Sequence, residues 1–423
     1  ILQLMFNAVD IIVVGRFSGS QALAAVGSTT ALINVFINLF MGISLGANVL
    51  AARYYAAGRD REMSETVHTS IMLALISGVV MAFVGVFFAK GALELMDTPA
   101  DVIDQSALYM RIYFMGMPFF MLYNYGAAIL RAVGDTKRPL YFLIIAGVIN
   151  AGLNMVLVIV FGLGVAGVGI ATVFSQMVSC VLVLTCLCRT EGSYKLSFSK
   201  LSMKGYYLKQ IFQVGIPAGI QSTVINFSNV LLQSSVNSFG SIAMAGYTAA
   251  NNIFGFLYVT VNAVTQACMS FTSQNYGVGK WKRMDRVLID CLILSFVAMM
   301  ILGNSAYFFG PKLLTIYTSN SKVIQCGMEI LLYTTVTYFL CGFMDLFPGA
   351  LRGMGRSGVP MILSIIGTVG TRIVWIFWIF PNHRSLDILF ISYPASWIIT
   401  IVLQVICYYF VRKQLYAKMR AEA

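Results

Sequence analysis

The chain has 423 residues, 59% hydrophobic and 10% charged, with 28 Lys and Arg against 16 Asp and Glu and a net charge of +12. A mean hydropathy of +0.82, with 30 Phe and 23 Met, exceeds what a water-soluble core of this size can hide. Strand-like alternation is absent, which argues against a transmembrane β-barrel.

Long uncharged runs recur instead, and each crossing of ~30 Å of hydrocarbon needs about 20 apolar residues. The pattern predicts twelve spans, at 1–15, 22–50, 66–89, 105–130, 139–162, 166–188, 210–238, 243–272, 287–309, 323–350, 359–380 and 388–410. The chain opens inside an apolar run with no initiator Met, so the first span is expected to be truncated. That span holds "NAVDIIVVGR", residues 7–16. Asp10 is a carboxylate about five residues, or ~7–8 Å, below the predicted outer end. Arg16 is six residues on, a poor helical pairing, because neighbours on a face are three or four apart. Intramembrane acids cost ~2.5–3.5 kcal/mol on insertion scales and mark ion or proton pathways. Asn7, three residues before Asp10, shares its face.

Further along, Asn150 and Asn154 form an i, i+4 pair in span 5, and Thr172 and Gln176 another in span 6. Span 7 carries Gln221, Asn226, Asn229, Gln233 and Asn237, the last four at 3-4-4 spacing on one face. Asn262 and Gln266 repeat the pattern in span 8. These neutral groups suit a site wall or interhelical hydrogen bonds, and both readings stand. Aromatics such as Tyr247 and Phe254 would complete a wall for amphipathic compounds. Asp345 in span 10 and Arg372 in span 11 are candidates for a second ionisable site, with Asp345 or Glu329 as partner for the arginine. The eight Cys lie in or beside apolar runs without a C-x-x-C pair, and His68 and His383 are far apart. No metal site, catalytic triad or cofactor is expected. "GLGVAG" at 162–167 fits G-x-G-x-x-G but lies in a short turn with no preceding strand, so it is not a dinucleotide fingerprint.

The basic residues lie in loops, with 21 of 28 after even-numbered spans or in the C-terminal tail. The positive-inside rule then puts both termini in the cytoplasm. The charge therefore reads as a membrane face and not as a nucleic-acid surface. A shift of 221 residues lays Tyr55, Gly58 and Met63 on Tyr276, Gly279 and Met284, and Leu130, Arg131, Gly134 and Pro139 on Leu351, Arg352, Gly355 and Pro360. Six spans per half makes the halves parallel repeats. The expected fold is an all-α integral membrane protein of twelve transmembrane helices, two six-helix parallel-repeat bundles around a central cavity. Its parts are a six-helix lobe at 1–188, a cytoplasmic linker at 189–209, a second lobe at 210–410 and a cytoplasmic tail at 411–423. The shift puts Asp10 on Leu231 and Asn154 on Trp375, so the carboxylate belongs to the first half alone.

The segments "NAVDIIVVGRFSGSQALAAVG", "GISLGANVLAARYYAAGR", "AAILRAVGDTKRP", "NMVLVIVFGLGVAGVGIATVFSQ", "SFTSQNYGVGKWKR" and "GALRGMGRSGVP", in this order, resemble the multidrug and toxic compound extrusion (MATE) family. The resemblance covers essentially the whole chain. It implies secondary antiport by rocking of two lobes in the plasma membrane. Organic compounds, expected to be cationic or amphipathic, would leave in exchange for H+ or Na+. It carries ion coupling onto Asp10, with Asn7, Asn150, Asn154 and Thr172 beside it. Gln176, Asn226, Asn229, Gln233, Asn262 and Gln266 are then candidate cavity residues. The sequence departs from some members at Val158, where they carry a second acid, and this tilts coupling toward protons over sodium at Asp10. A small organic molecule and the bilayer are the expected partners, without nucleic acid, for a monomeric chain. A flippase for lipid-linked oligosaccharides is the alternative, disfavoured because only Arg372 clearly sits deep in a span. An enzyme would need clustered catalytic groups that the spans lack.

Overall fold

A computed structural model of the chain describes residues 13, 17, 18, 20–95, 102–317 and 320–422. Among the described residues there are helices and no strand. Hydrocarbon offers no partner for backbone N–H and C=O groups, and a helix satisfies all of them within one segment. The chain divides into two compact units, Ile1–Gly219 and Ile220–Ala423.

The first unit holds α1 (Ser20–Ala56), α2 (Asp60–Leu95), α3 (Ile103–Met115), α4 (Met117–Ala132), α5 (Lys137–Asn154) and α6 (Gly164–Arg189). Helix α7 (Gly205–Asn237) contains the division between the units. The second unit continues with α8 (Ser241–Gly277), α9 (Trp281–Phe308), α10 (Gly310–Thr315), α11 (Ser321–Thr335), α12 (Tyr338–Gly353), α13 (Gly358–Ser364), α14 (Thr371–Val374) and α15 (Leu386–Glu422). The predicted first span lies almost wholly outside the described residues. Eight described helical spans are long and apolar enough to cross a membrane, and α11 with α12, bent by 44°, makes a ninth. Helix α7 has 33 residues, ample for a crossing, but its polar stripe keeps it out of that set. Span 4 is broken into α3 and α4, each too short alone. The break falls at Gly116, and Pro118 at the start of α4 cannot donate a helical hydrogen bond backwards. The twelve-span architecture fits these elements. The helix α15 runs on through residues 411–422, where no glycine or proline stops it.

The repeat is visible in local geometry. Gly58 and Gly279 have φ of 65° and 68°, and Gly134 and Gly355 have 92° and 81°. Each lies just beyond a helix end in the left-handed region, where a side chain is costly. In each case the next residue's N–H reaches back five positions, as in Arg59 N to Tyr54 O at 3.0 Å and Lys280 N to Asn275 O at 2.9 Å. The breaks match as well, since Gly116 shifted by 221 falls on Thr337, between α11 and α12. The π-helical stretch Met155–Val160 matches Trp375–Ile379 to within a residue at its start.

Large apolar side chains such as Phe83, Phe87 and Phe88 on α2 and Ile293, Leu294 and Ile301 on α9 are exposed, as a lipid-facing surface requires. Inside the first unit, α4 is the buried spine, with Tyr125, Ile129 and Leu130 fully enclosed. Helix α1 approaches the first half of α7 through Gly42 and Gly46 against Gly215 and Gly219. A Cβ built on Gly46 would collide with the carbonyl oxygen of Ile211, and one on Gly215 with the Cα of Ile43. Small residues four apart allow this backbone contact, which van der Waals packing drives in lipid.

The predicted linker is held against the first unit. Buried His68 on α2 receives Ser197 N–H at Nε2 (3.1 Å). Its Nδ1 lies 2.6 Å from the carbonyl oxygen of Ser64, which only accepts, so the proton is on Nδ1. Leu196, buried, donates its N–H to Leu187 O at 3.0 Å, and Lys204 N–H reaches Thr69 Oγ1 at 3.3 Å.

Three outcomes are expected. Gly46→Val should lower the thermal midpoint of the purified protein by the equivalent of about 1–3 kcal/mol or more, from overpacking. Gly152→Ala, with nothing within 4 Å of a built Cβ, should be neutral or mildly stabilising. His68→Ala should expose residues 190–204 to limited proteolysis while leaving cleavage elsewhere unchanged.

Candidate functional site

Asp10 and Asn7, the predicted coupling residues, lie outside the described residues. Their proposed helpers in the first unit are described. Asn150 and Asn154 are buried, and Asn154 Nδ2 donates to Asn150 Oδ1 at 3.2 Å. Thr172 Oγ1 bonds back to Val168 O on its own helix at 2.9 Å. Gln176 leans over the α3–α4 break, its Oε1 2.8 Å from where a Cβ on Gly116 would stand. That oxygen is buried without a hydrogen-bond partner among the described residues. Val158, at the departure from the family's second acid, is buried and apolar. The first unit therefore holds a neutral, partly satisfied polar cluster on α5 and α6. Asn48, which the sequence reading did not single out, donates across from α1 to Ala128 O on α4 at 2.8 Å.

The second unit carries the buried charge. Arg372 is 3% exposed. Its Nη1 donates to Asn229 Oδ1 at 2.7 Å and to Ser228 Oγ at 3.4 Å, and its Nε to Ser396 Oγ at 3.4 Å. The guanidinium stands 4.6 Å over the ring of Tyr393. The expected partners, Asp345 or Glu329, are not there, since neither lies within ion-pair distance. The partners are neutral and come from α7 and α15, 143 and 24 residues away in sequence. Desolvating such an ion costs several kcal/mol. One short charge-assisted bond supplies about 1.5–3 kcal/mol and the ring about 0.5–2 kcal/mol. The two 3.4 Å contacts add little, so the charge is hydrogen-bonded but not neutralised.

Asp345 and Arg372 are thus separate centres. Asp345 lies close enough to Arg352 and Tyr258 to act on both. Arg352 is itself buried and donates from Nη2 to Gln221 Oε1 at 2.7 Å. Its Nε is buried without a hydrogen-bond partner among the described residues. The sequence reading placed Arg352 in a loop, whereas it ends α12 inside the unit. Gln221, the first member of the span 7 stripe, is therefore its acceptor and not a wall residue.

The rest of the stripe divides. Asn226, Gln233 and Asn237 are exposed, and Asn229 is half-buried against Arg372. Asn262 and Gln266 bond to each other at 2.7 Å, one turn apart. Tyr247 and Phe254 are buried. Tyr247 donates to or accepts from Tyr393 Oη at 3.0 Å, and Phe254 stacks on Tyr338 at 6.2 Å. Two cavities lie elsewhere. One of about 500 Å³ is lined by Met244, Thr248, Asn252 and Tyr317, and one of about 610 Å³ by Arg138, Cys186, Arg189 and Tyr194. Among the described residues no three His, Cys, Asp or Glu side chains gather to hold a metal ion.

Long apolar helices with exposed apolar side chains, and buried polar clusters in each half, define a multi-pass membrane protein. The MatE family model matches residues 1–156 and 217–378, and the chain belongs to that family. It is a transporter of small molecules and not an enzyme. A probable multidrug resistance protein, YoeA of Bacillus subtilis, is 29% identical over 98% of this chain and 91% of its own length. An FAD transporter of Shewanella oneidensis is 22% identical, covering 82% of this chain and 78% of its own. A solved outward-facing MATE family transporter of the MOP superfamily superposes with a TM-score of 0.90 at 21% identity, over 99% of this chain and 93% of that one.

Removing the acceptor of a buried charge leaves that charge unpaired. Gln221→Ala should therefore destabilise the purified protein by about 1–3 kcal/mol in chemical unfolding. Gln233→Ala, on the exposed part of the same helix, should stay within about 0.5 kcal/mol.

Proposed function

We propose that this chain is an ion-coupled antiporter of the bacterial plasma membrane, exporting amphipathic organic compounds in exchange for H+ or Na+ with both termini in the cytoplasm. The observation that carries this reading is the exposed polar face of α7. Asn226, Gln233 and Asn237 are exposed on a helix long enough to span the bilayer. Hydrocarbon penalises such groups by several kcal/mol each when unpaired, so this face borders water and not lipid. A wetted polar stripe within a lipid-embedded unit is what passage of a polar or amphipathic solute requires.

The coupling residue is Asp10, an acid in the first span with no counterpart in the second half. Asn150, Asn154 and Thr172 supply neutral groups on α5 and α6, and Gln176 offers an oxygen with no hydrogen-bond partner among the described residues. Val158 leaves this half without a second acid there, which favours a proton over a sodium ion. Related proteins bear names as different as multidrug resistance protein and FAD transporter, so membership alone leaves the substrate's charge open.

Efflux of fluorescent organic compounds from cells, one cationic and one zwitterionic, tests the reading. Asp10→Asn, at matched expression, should reduce efflux to the level of cells lacking the transporter. Collapsing the proton gradient should abolish wild-type efflux, and collapsing the sodium gradient should not. Undiminished efflux by Asp10→Asn sinks the coupling role.

A further inference from the structure

The second unit contains a buried cation with no acid within ion-pair distance among the described residues. Asp285 is held by Arg412, Tyr408 and Tyr416. Asp290 faces Arg286 at 3.9 Å. Asp387, Glu329 and Asp345 form no ion pair with Arg372. Arg372 is left with a hydroxyl on either side, one amide oxygen and one aromatic ring. Its Nη2 has no hydrogen-bond partner among the described residues.

A single side chain, Asn229, stands between this charge and the exposed face of α7. A guanidinium has donors only, so the oxygen of Asn229 must face it and the amide NH2 must point away. That NH2 makes no hydrogen bond among the described residues. Asn229 lies between exposed Asn226 and Gln233 on the same face of α7. A solute moving along this face meets the donors of Asn229 first, with the positive charge directly behind. If the Asn229 side chain swings aside, two parallel N–H groups of Arg372 fit the two oxygens of a carboxylate or phosphate. The strip from Asn226 to Gln233 extends about 10 Å along the helix, longer than an inorganic ion can use.

We propose that Arg372, screened by Asn229, is the binding site for the carboxylate or phosphate of an organic anion or zwitterion. As a statement about substrate it rests on the transport reading, while the site itself is testable by binding alone.

The test uses the purified full chain in detergent, titrated with phenyl phosphate, benzoate, inorganic phosphate and phenyltrimethylammonium. Trp397, whose ring lies 5.8 Å from that of Tyr393, is the intrinsic fluorescent reporter, read together with the thermal midpoint. Phenyl phosphate and benzoate should bind and raise the midpoint, and phenyltrimethylammonium should not displace them. Arg372→Gln should weaken anion binding at least about tenfold, the loss of one charge-assisted interaction. Asn229→Asp is the decisive variant, because it supplies the missing carboxylate from within. It should unfold at or above the wild-type temperature and still lose anion binding by a similar factor. A purely structural arginine predicts no anion binding in the wild type, and that result overturns the proposal. Equal anion affinity in the wild type and both variants overturns it too. Inorganic phosphate binding as tightly as phenyl phosphate overturns the organic substrate. Binding without efflux from cells would remove the transport reading and leave the site. Efflux without anion binding would do the reverse.

Discussion

Everything in this chain follows from the refusal of hydrocarbon to hydrogen-bond. Backbone groups must be satisfied within a segment, which leaves helices as the only described element. Side chains must then be sorted by face. Phe83, Phe87 and Phe88 can look outward because lipid accepts them. Asn150 and Asn154 cannot, and they pair with each other one turn apart. With no hydrophobic force between helices, close contact comes from small residues, as where Gly42 and Gly46 meet Gly215 and Gly219.

The same constraint explains the differing chemistry of the halves. The backbone is repeated down to four left-handed glycines and a matched break in the fourth span of each half. The polar side chains are not repeated. Position 10 is an aspartate where position 231 is a leucine, and position 154 is an asparagine where position 375 is a tryptophan. Geometry that satisfies the backbone has been kept in both halves, while the polar groups differ between them.

What the sequence made legible was periodic or local. Span positions, the 221-residue shift and the i, i+4 pairs Asn150–Asn154 and Asn262–Gln266 were all readable, because each rests on helical spacing. The breaks before α4 and α12 were not read, although Pro118 signals the first and the repeat transfers it to the second. The π-helical stretches leave no compositional mark. The partners of Arg372 were beyond reach for another reason. Asn229, Ser228 and Ser396 are neutral and distant in sequence, and a search for a countercharge points to acids that form no ion pair with it. Arg352 was misplaced because a loop arginine and a helix-end arginine look alike when only hydropathy is read.

The burial of Arg372 also bears on how the chain enters the bilayer during synthesis. An arginine at the centre of an isolated span costs ~2.5–3.5 kcal/mol on translocon scales. Its acceptors on α7 emerge from the ribosome long before it, but Ser396 and the ring of Tyr393 follow only after α15 has been made. The eleventh span is therefore a poor independent passenger, best delivered to the lipid as a hairpin with the twelfth. A chain stopped between them would leave a guanidinium half-wrapped at the exit of the insertion machinery, a natural point for quality control to act.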